Sequence, residues 1–167
     1  REMARYRLGL PEDAFVMVSG AVNIREKHKG GLFFEQLVSR MAGKSVFLVF
    51  GQTLGLPGIK AVGFIRDYRM MPEIFSAADL FVGTSLAESF GQTYCEASAC
   101  GIPIVAFNTG GIPDIARHAV NARLVNAGDL HQFIDEISFF KNNPEERATY
   151  GSAGRKIVES EFTLEKQ

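Results

Sequence analysis

The 167-residue chain lacks most of what marks a specialised protein class. It has no apolar run near the roughly 18 residues that a membrane helix needs. Its longest, such as Val46–Phe50, are about half a dozen residues, so no spanning helix is expected. It has only two cysteines, Cys95 and Cys100, in one stretch of small residues. That excludes a disulfide framework and suits reduced thiols in a cytoplasmic protein. No charge sign dominates: 18 Lys and Arg face 19 Asp and Glu, a net charge of −1. A broad basic surface for nucleic acid is therefore excluded, although a local basic patch for phosphate is not. Arg1-Glu2-Met3 is followed by no apolar leader, and no repeat or low-complexity tract is visible. Walker A, paired CxxC, HExxH and D-x-D motifs are all absent, and the lack of D-x-D argues against a metal-bridged diphosphate. Gly51, Gly55 and Gly58 lack the spacing of a dinucleotide fingerprint and are read as a flexible loop.

Present instead is an ordinary globular mix, with 46% hydrophobic and 22% charged residues. Short apolar runs alternate with helical patterns. Ala14–Ser19, Ser45–Phe50, Ala61–Phe64, Leu80–Gly83 and Ile102–Phe107 read as strands buried on both faces, and Ala122–Asn126 as a weaker sixth. Between them, Gly31–Met41 and Arg69–Ala78 carry apolar residues at helical spacing. Asp129 is expected to cap one further helix, and Asn143-Pro144-Glu145-Glu146 to start another. The pattern predicts an α/β fold of a single domain over 1–167. It is a Rossmann-like, doubly wound parallel sheet of about six strands with helices on both faces. In such sheets ligands sit beyond the carboxyl ends of the strands.

The most informative stretch follows the fourth strand, from Gly83 to Pro103. A polar loop carries Glu88, and a helix begins near Phe90 or Gly91 and ends at Gly101, with Glu96 inside it. The first amides of that helix are unpaired and partly positive, which suits a phosphate or a sugar hydroxyl. Gly91 admits a ligand close to the backbone. A carboxylate such as Glu96 can accept from two adjacent hydroxyls, as in a ribose diol. By spacing alone both glutamates could equally be solvated surface acids. His28, His118 and His131 are scattered and read as structural or surface residues. The turn Asn108-Thr109-Gly110-Gly111, with Asp114 behind it, is either a plain turn or a ligand contact.

Glu88-x7-Glu96, set in SLAESFGQTYCEASACGIPIVAFNTGGIPDI, resembles the corresponding region of retaining GT-B glycosyltransferases, closest to the nucleotide-sugar-dependent family 4 group. The order ESFG, EA, ACG-P-V-A, then T-GG with D-I runs through the match. The resemblance extends from Arg7-Leu-Gly-Leu-Pro to the closing helices near Phe162-Thr163. It implies the C-terminal, donor-binding half of a GT-B fold, without the N-terminal acceptor domain. The first residue is not Met and the chain stops mid-pattern at Thr163-Leu-Glu-Lys-Gln167, so a piece of a longer protein is expected. Carried over, the resemblance has Glu96 bind the donor ribose and Glu88 contact the transferred sugar. Backbone amides of Phe90, Gly91, Gln92 and Thr93 would hold sugar and diphosphate, and the main chain of Phe64 and Ile65 would meet the base.

The family also places G-R-L and K-G after the first strand, where the two cations neutralise the diphosphate. Lys29-Gly30 fits the K-G, but Ala21 replaces the arginine and the loop is longer. Arg25 or Lys27 is the candidate second cation. Such charges stabilise the leaving group as the glycosidic bond breaks. In the family, attack is pictured on the front face, with the leaving phosphate taking the acceptor's proton. The resemblance thus implies a retaining transferase moving a sugar from a nucleoside-diphosphate sugar to an acceptor. No cofactor or metal is expected to be essential. The fragment alone should not transfer, and any membrane contact would lie in the missing domain, at the inner face of the membrane. The alternatives are a non-catalytic nucleotide-sugar-binding module and a GT-B relative such as an epimerase.

Overall fold

The computed structural model describes residues 1–23, 26–52, 55 and 57–162. Six strands form one wholly parallel sheet: β1 (Val16–Asn23), β2 (Val46–Gln52), β3 (Ile59–Gly63), β4 (Leu80–Gly83), β5 (Ile104–Phe107) and β6 (Ala122–Val125). Their spatial order is β3-β2-β1-β4-β5-β6, so the direction of winding reverses between β1 and β4. The helices are α1 (Glu2–Arg7), α2 (Gly31–Met41), α3 (Met71–Ser76), α4 (Gln92–Ala99), α5 (Ile112–Ile115), α6 (Leu130–Asn142) and α7 (Pro144–Glu161). Among the described residues no helix is long and apolar enough to cross a membrane.

Alternation along the strands divides the core in two. Val16, Val18 and Leu48 face a layer closed by Ile74 and Phe75 of α3 and by Tyr94 and Ala97 of α4. Met17, Phe47 and Val49 face the other, closed by Phe34 and Leu37 of α2 and Phe133 and Ile137 of α6. Every residue of β4 and β5 is buried. Full burial of side chains such as Phe75 and Phe133 contributes roughly 1.5–3 kcal/mol each relative to exposure.

Sequence and structure differ mainly at element ends. β1 starts later than expected and continues to Asn23, so Ala21 lies on the strand, paired with Gly51, rather than in the following loop. The residues before β5 that looked like strand, Ile102 and Pro103, precede the ladder. The helix expected over Arg69–Ala78 is a 3-10 turn, Tyr68–Met70, followed by α3. Pro72 sits in the first turn of α3, where it lacks the N–H that an upstream continuation would use. Asp129 caps α6 by accepting from the Gln132 amide, as its position predicts. Asn143 does not cap α7 with its side chain; its Nδ2 donates back to the Phe139 carbonyl instead. Of the glycines expected in a loop, Gly51 instead lies on β2, and part of the segment between it and Gly58 lies outside the described residues.

Two buried features fix the frame. Asp79, just before β4, accepts from Arg5 Nη2 at 2.8 Å and from the Val16 amide at 2.8 Å, and it also pairs with Arg1. On the other flank, α7 lies against α4. A Cβ on Gly151 would stand 2.0 Å from the Gly101 carbonyl oxygen, so only glycine allows this approach.

Candidate functional site

The reversal between β1 and β4 opens a cleft of about 270 Å³ at the carboxyl ends of these strands. Ser19 and Gly20 line it from β1, Gly83 to Ser85 from the end of β4, and Gln92, Thr93 and Tyr94 from α4. Lys29, Glu26 and Glu88 stand over it from the loops, and Tyr68 closes it from the 3-10 turn.

Lys29 and Glu88, 59 residues apart, meet here: Nζ donates to Oε2 at 2.7 Å. Both side chains are mostly covered, with 25% and 18% exposure. Backbone chemistry brings them together. After β1 the chain makes a 3-10 turn, Lys27–Lys29, ended by Gly30 at φ 69°. The His28 carbonyl accepts from the Leu86 amide at 2.7 Å, and the Thr84 hydroxyl donates to the Lys29 carbonyl at 3.0 Å. A Cβ on Gly30 would lie 2.1 Å from the Thr84 carbonyl oxygen. The positive φ and this approach together require glycine after Lys29.

The Glu88 loop is also held from behind. The Gly111 amide donates to the Glu88 carbonyl at 2.8 Å, and Thr109 Oγ1 to the Ser85 carbonyl at 2.8 Å. The 108–111 turn therefore braces the loop, and Asp114 is exposed beyond it. The turn thus has a supporting role behind the Glu88 loop.

Gly91, at φ 83° and ψ 53°, begins α4. Its carbonyl accepts from Tyr94 and Cys95, while the amides of Phe90, Gly91, Gln92 and Thr93 find no backbone acceptor among the described residues. Of these residues, Gln92 and Thr93 line the cleft. Phe90 is 45% exposed, its ring 6.0 Å from that of Phe162. Glu96 stands one turn further along α4 and accepts from Gln92 Nε2 at 3.0 Å. Burial pushes its pKa above the usual carboxylate value, against the Gln92 hydrogen bond, which lowers it. It does not line the cleft itself, whereas its partner Gln92 does.

Phe64 and Ile65 follow β3 on the outer side. Phe64 is 62% exposed, Ile65 packs against the core, and neither lines the cleft. Arg25 lies outside the described residues, so the choice of second cation is not made by geometry. Lys27 is exposed on the 3-10 turn. His118 is structural, its Nδ1 accepting from the Leu124 amide at 3.0 Å. Burial, with Glu96 nearby, pushes the thiol pKa values of Cys95 and Cys100 up, which favours inert protonated thiols. Among the described residues no group of three or more His, Cys, Asp or Glu is placed to hold a metal ion.

Sequence reasoning missed Tyr68, Glu26, Ser85 and Tyr94 as parts of this site. Tyr94 sits at an inward position of α4 that reads as core. Its hydroxyl is buried beside Gly83 without a well-formed hydrogen bond. Burial drives the phenol pKa upward, with Ser85 opposing and the Glu88 charge adding to the rise.

Among the described residues the arrangement offers the Lys29 cation, the Glu88 carboxylate paired to it, and open helix amides on a single concave surface. That combination can take an anionic group at the α4 terminus and hydroxyl groups at the carboxylates. A family model described as "Glycosyl transferases group 1" matches residues 48–157. A D-inositol 3-phosphate glycosyltransferase from Thermobispora bispora is 30% identical over 180 residues, covering 90% of this chain and 40% of that protein. A GDP-mannose-dependent monoacylated alpha-(1-6)-phosphatidylinositol monomannoside mannosyltransferase from Corynebacterium glutamicum is 32% identical over 106 residues, covering 59% of this chain and 28% of that one. The chain thus spans well under half the length of these curated relatives. In fold, it matches the Anabaena protein Alr3699/HepE, solved in complex with UDP-glucose, with a TM-score of 0.82 and 23% identity. That match covers 95% of this chain and 47% of the other.

Proposed function

Because the chain belongs to the glycosyl transferases group 1 family, we propose that it is the donor-holding C-terminal domain of a retaining, family 4-type glycosyltransferase. The whole enzyme moves a sugar from a nucleoside-diphosphate sugar to an acceptor held mainly by a second domain. The observation that carries this reading is the convergence of Lys29, Glu88 and the open amides of α4 on one cleft at the β1/β4 reversal.

In this reading the diphosphate lies against the amides of Gln92 and Thr93, and Lys29 turns from Glu88 to the phosphates. Positive charge already in place stabilises the charge that builds on the leaving group. Lys29, the α4 terminus and a second cation from Arg25 or Lys27 do this without a metal. Glu88, freed from Lys29, accepts from hydroxyls of the transferred sugar. Glu96 accepts from the ribose diol, and its partial burial strengthens those hydrogen bonds. The main chain after β3, at Phe64 and Ile65, lies on the base side, with Tyr68 between it and the phosphates. The domain alone binds donor but does not transfer, and the compartment is the cytoplasm.

Calorimetric titration with UDP, GDP, ADP and CDP tests the reading, repeated with Glu96→Ala. Selective binding of one nucleotide, weakened at least tenfold in the variant, is expected. Failure of all four to bind, or binding indifferent to Glu96, overturns it.

A further inference from the structure

A second cavity, of about 800 Å³ and so roughly three times the volume of the donor cleft, opens at the opposite end of the sheet. It lies under the amino ends of β1, β2 and β3, between the turn after α1 and the corner joining α6 to α7. Its wall carries six cationic side chains and three carboxylates.

The carboxylate that matters most is already committed. Asp79 is saturated by Arg5, the Val16 amide and Arg1. Arg147 stands 3.8 Å from the same carboxylate and donates to the carbonyls of Phe140 and Lys141. Burial lowers its pKa; the Asp79 charge opposes this, and the like charges of Arg1 and Arg5 add to the fall. Lys60 has no carboxylate partner among the described residues; its Nζ reaches across to Gly9, 3.4 Å from where a Cβ would lie. Lys141 Nζ donates to the Lys44 carbonyl at 2.6 Å, which leaves its charge unbalanced. Beside Lys44, Ser45 lines the same cavity; the residue is 9% exposed and its Oγ is buried without a partner. An orphaned buried hydroxyl is costly unless something completes it.

We propose that this basal cavity is a second binding site, for a small phosphorylated anion carrying two or more negative charges, with Lys44, Lys60 and Arg147 meeting the charge and Ser45 supplying a hydrogen bond. The cation excess calls for a polyanion rather than a single carboxylate. The volume is that of an ordinary small-molecule site. Its position at the far end of the strands separates it from the donor cleft.

The probe is inorganic pyrophosphate, titrated into the isotopically labelled chain at 150 mM salt while amide shifts are followed. Expected are saturable shifts at Gly9, Lys44, Ser45 and Lys60. They persist in Lys29→Met, which loses only the shifts at Gln92 and Thr93. Lys44→Gln with Lys60→Gln weakens the basal event at least tenfold. Ser45→Ala weakens it several-fold without lowering thermal stability. Shifts confined to α4, non-saturating basal shifts, or basal binding unaltered by the double variant overturn the proposal.

Discussion

Replacing Glu88 with glutamine is expected to tighten the binding of a free nucleoside diphosphate, although it removes a residue of the site. In the unliganded cleft Lys29 is engaged by Glu88 at 2.7 Å. A diphosphate that takes Lys29 must first break that pair. Unit charges about 4 Å apart attract by about 4 kcal/mol at an effective dielectric near 20, which sets a ceiling. Desolvation, and screening at side-chain exposures of 25% and 18%, leave about 1 kcal/mol, between the worth of exposed and buried pairs. With tenfold in affinity per 1.4 kcal/mol, Glu88→Gln should lower the Kd for UDP or GDP about fivefold. The chain has no tryptophan, so titration calorimetry is the assay. Lys29→Met should weaken the same ligand about tenfold, and adding Glu88→Gln to it should restore little, because the gain passes through Lys29. Equal or weaker diphosphate binding in Glu88→Gln would refute the reasoning. So would the same gain in the Lys29→Met background.

Three other outcomes follow from the geometry. Glu96→Gln should raise the melting temperature at neutral pH while weakening nucleotide binding, because the folded state holds a half-buried carboxylate with a raised pKa. The charged form carries that cost above the folded pKa, so the stability gain should fade as pH drops through it towards the ordinary carboxylate value, as melting curves from pH 7 down would show. Gly30→Ala should cost about 2 kcal/mol in urea unfolding and weaken diphosphate binding, since its Cβ meets the Thr84 carbonyl oxygen and φ is 69°; unchanged values for both would contradict the role given to that turn. Asp79→Ala should cost roughly 3–5 kcal/mol, because it leaves buried Arg5 without its carboxylate, and a urea midpoint close to that of the parent chain would count against it.

The parallel sheet was legible because the central strands are short runs of largely apolar residues, a pattern that survives without any partner in view; the edge strand β3, expected to be buried on both faces, is instead partly exposed and carries Lys60. Gly31–Met41 was readable to the residue because Phe34, Leu37, Val38 and Met41 form one stripe and Gly30 stops the chain before it. Pairings made across distance were not readable. Nothing in the sequence tells that Asp79 gathers Arg1 and Arg5, or that Lys29 ends on Glu88, because those contacts depend on strand order. Tyr68 was hidden for a local reason, since a single 3-10 turn leaves no periodicity. Tyr94 was hidden by its own side chain, whose ring reads as core while its hydroxyl reaches the cleft floor. Main-chain donors such as those of Gln92 and Thr93 leave no residue-type signature; the helix start placed open amides near Phe90 or Gly91, and the resemblance assigned them residue by residue.

The seam between α4 and α7 decides which wall of the donor cleft yields. With Gly151 seated on the Gly101 carbonyl, the helix that presents the open amides has no slack behind it. The loop carrying Glu88 is equally backed by the turn at 108–111. One side of the cleft therefore behaves as an anvil. Whatever travel a ligand demands falls to the Lys29 side chain, because the backbone that carries it is also fastened, by the close approach of Gly30 to Thr84 and by the hydrogen bonds to Leu86 and Thr84. Affinity is then governed by how readily that side chain leaves Glu88, and substitutions that change its release retune binding without moving the backbone of the anvil.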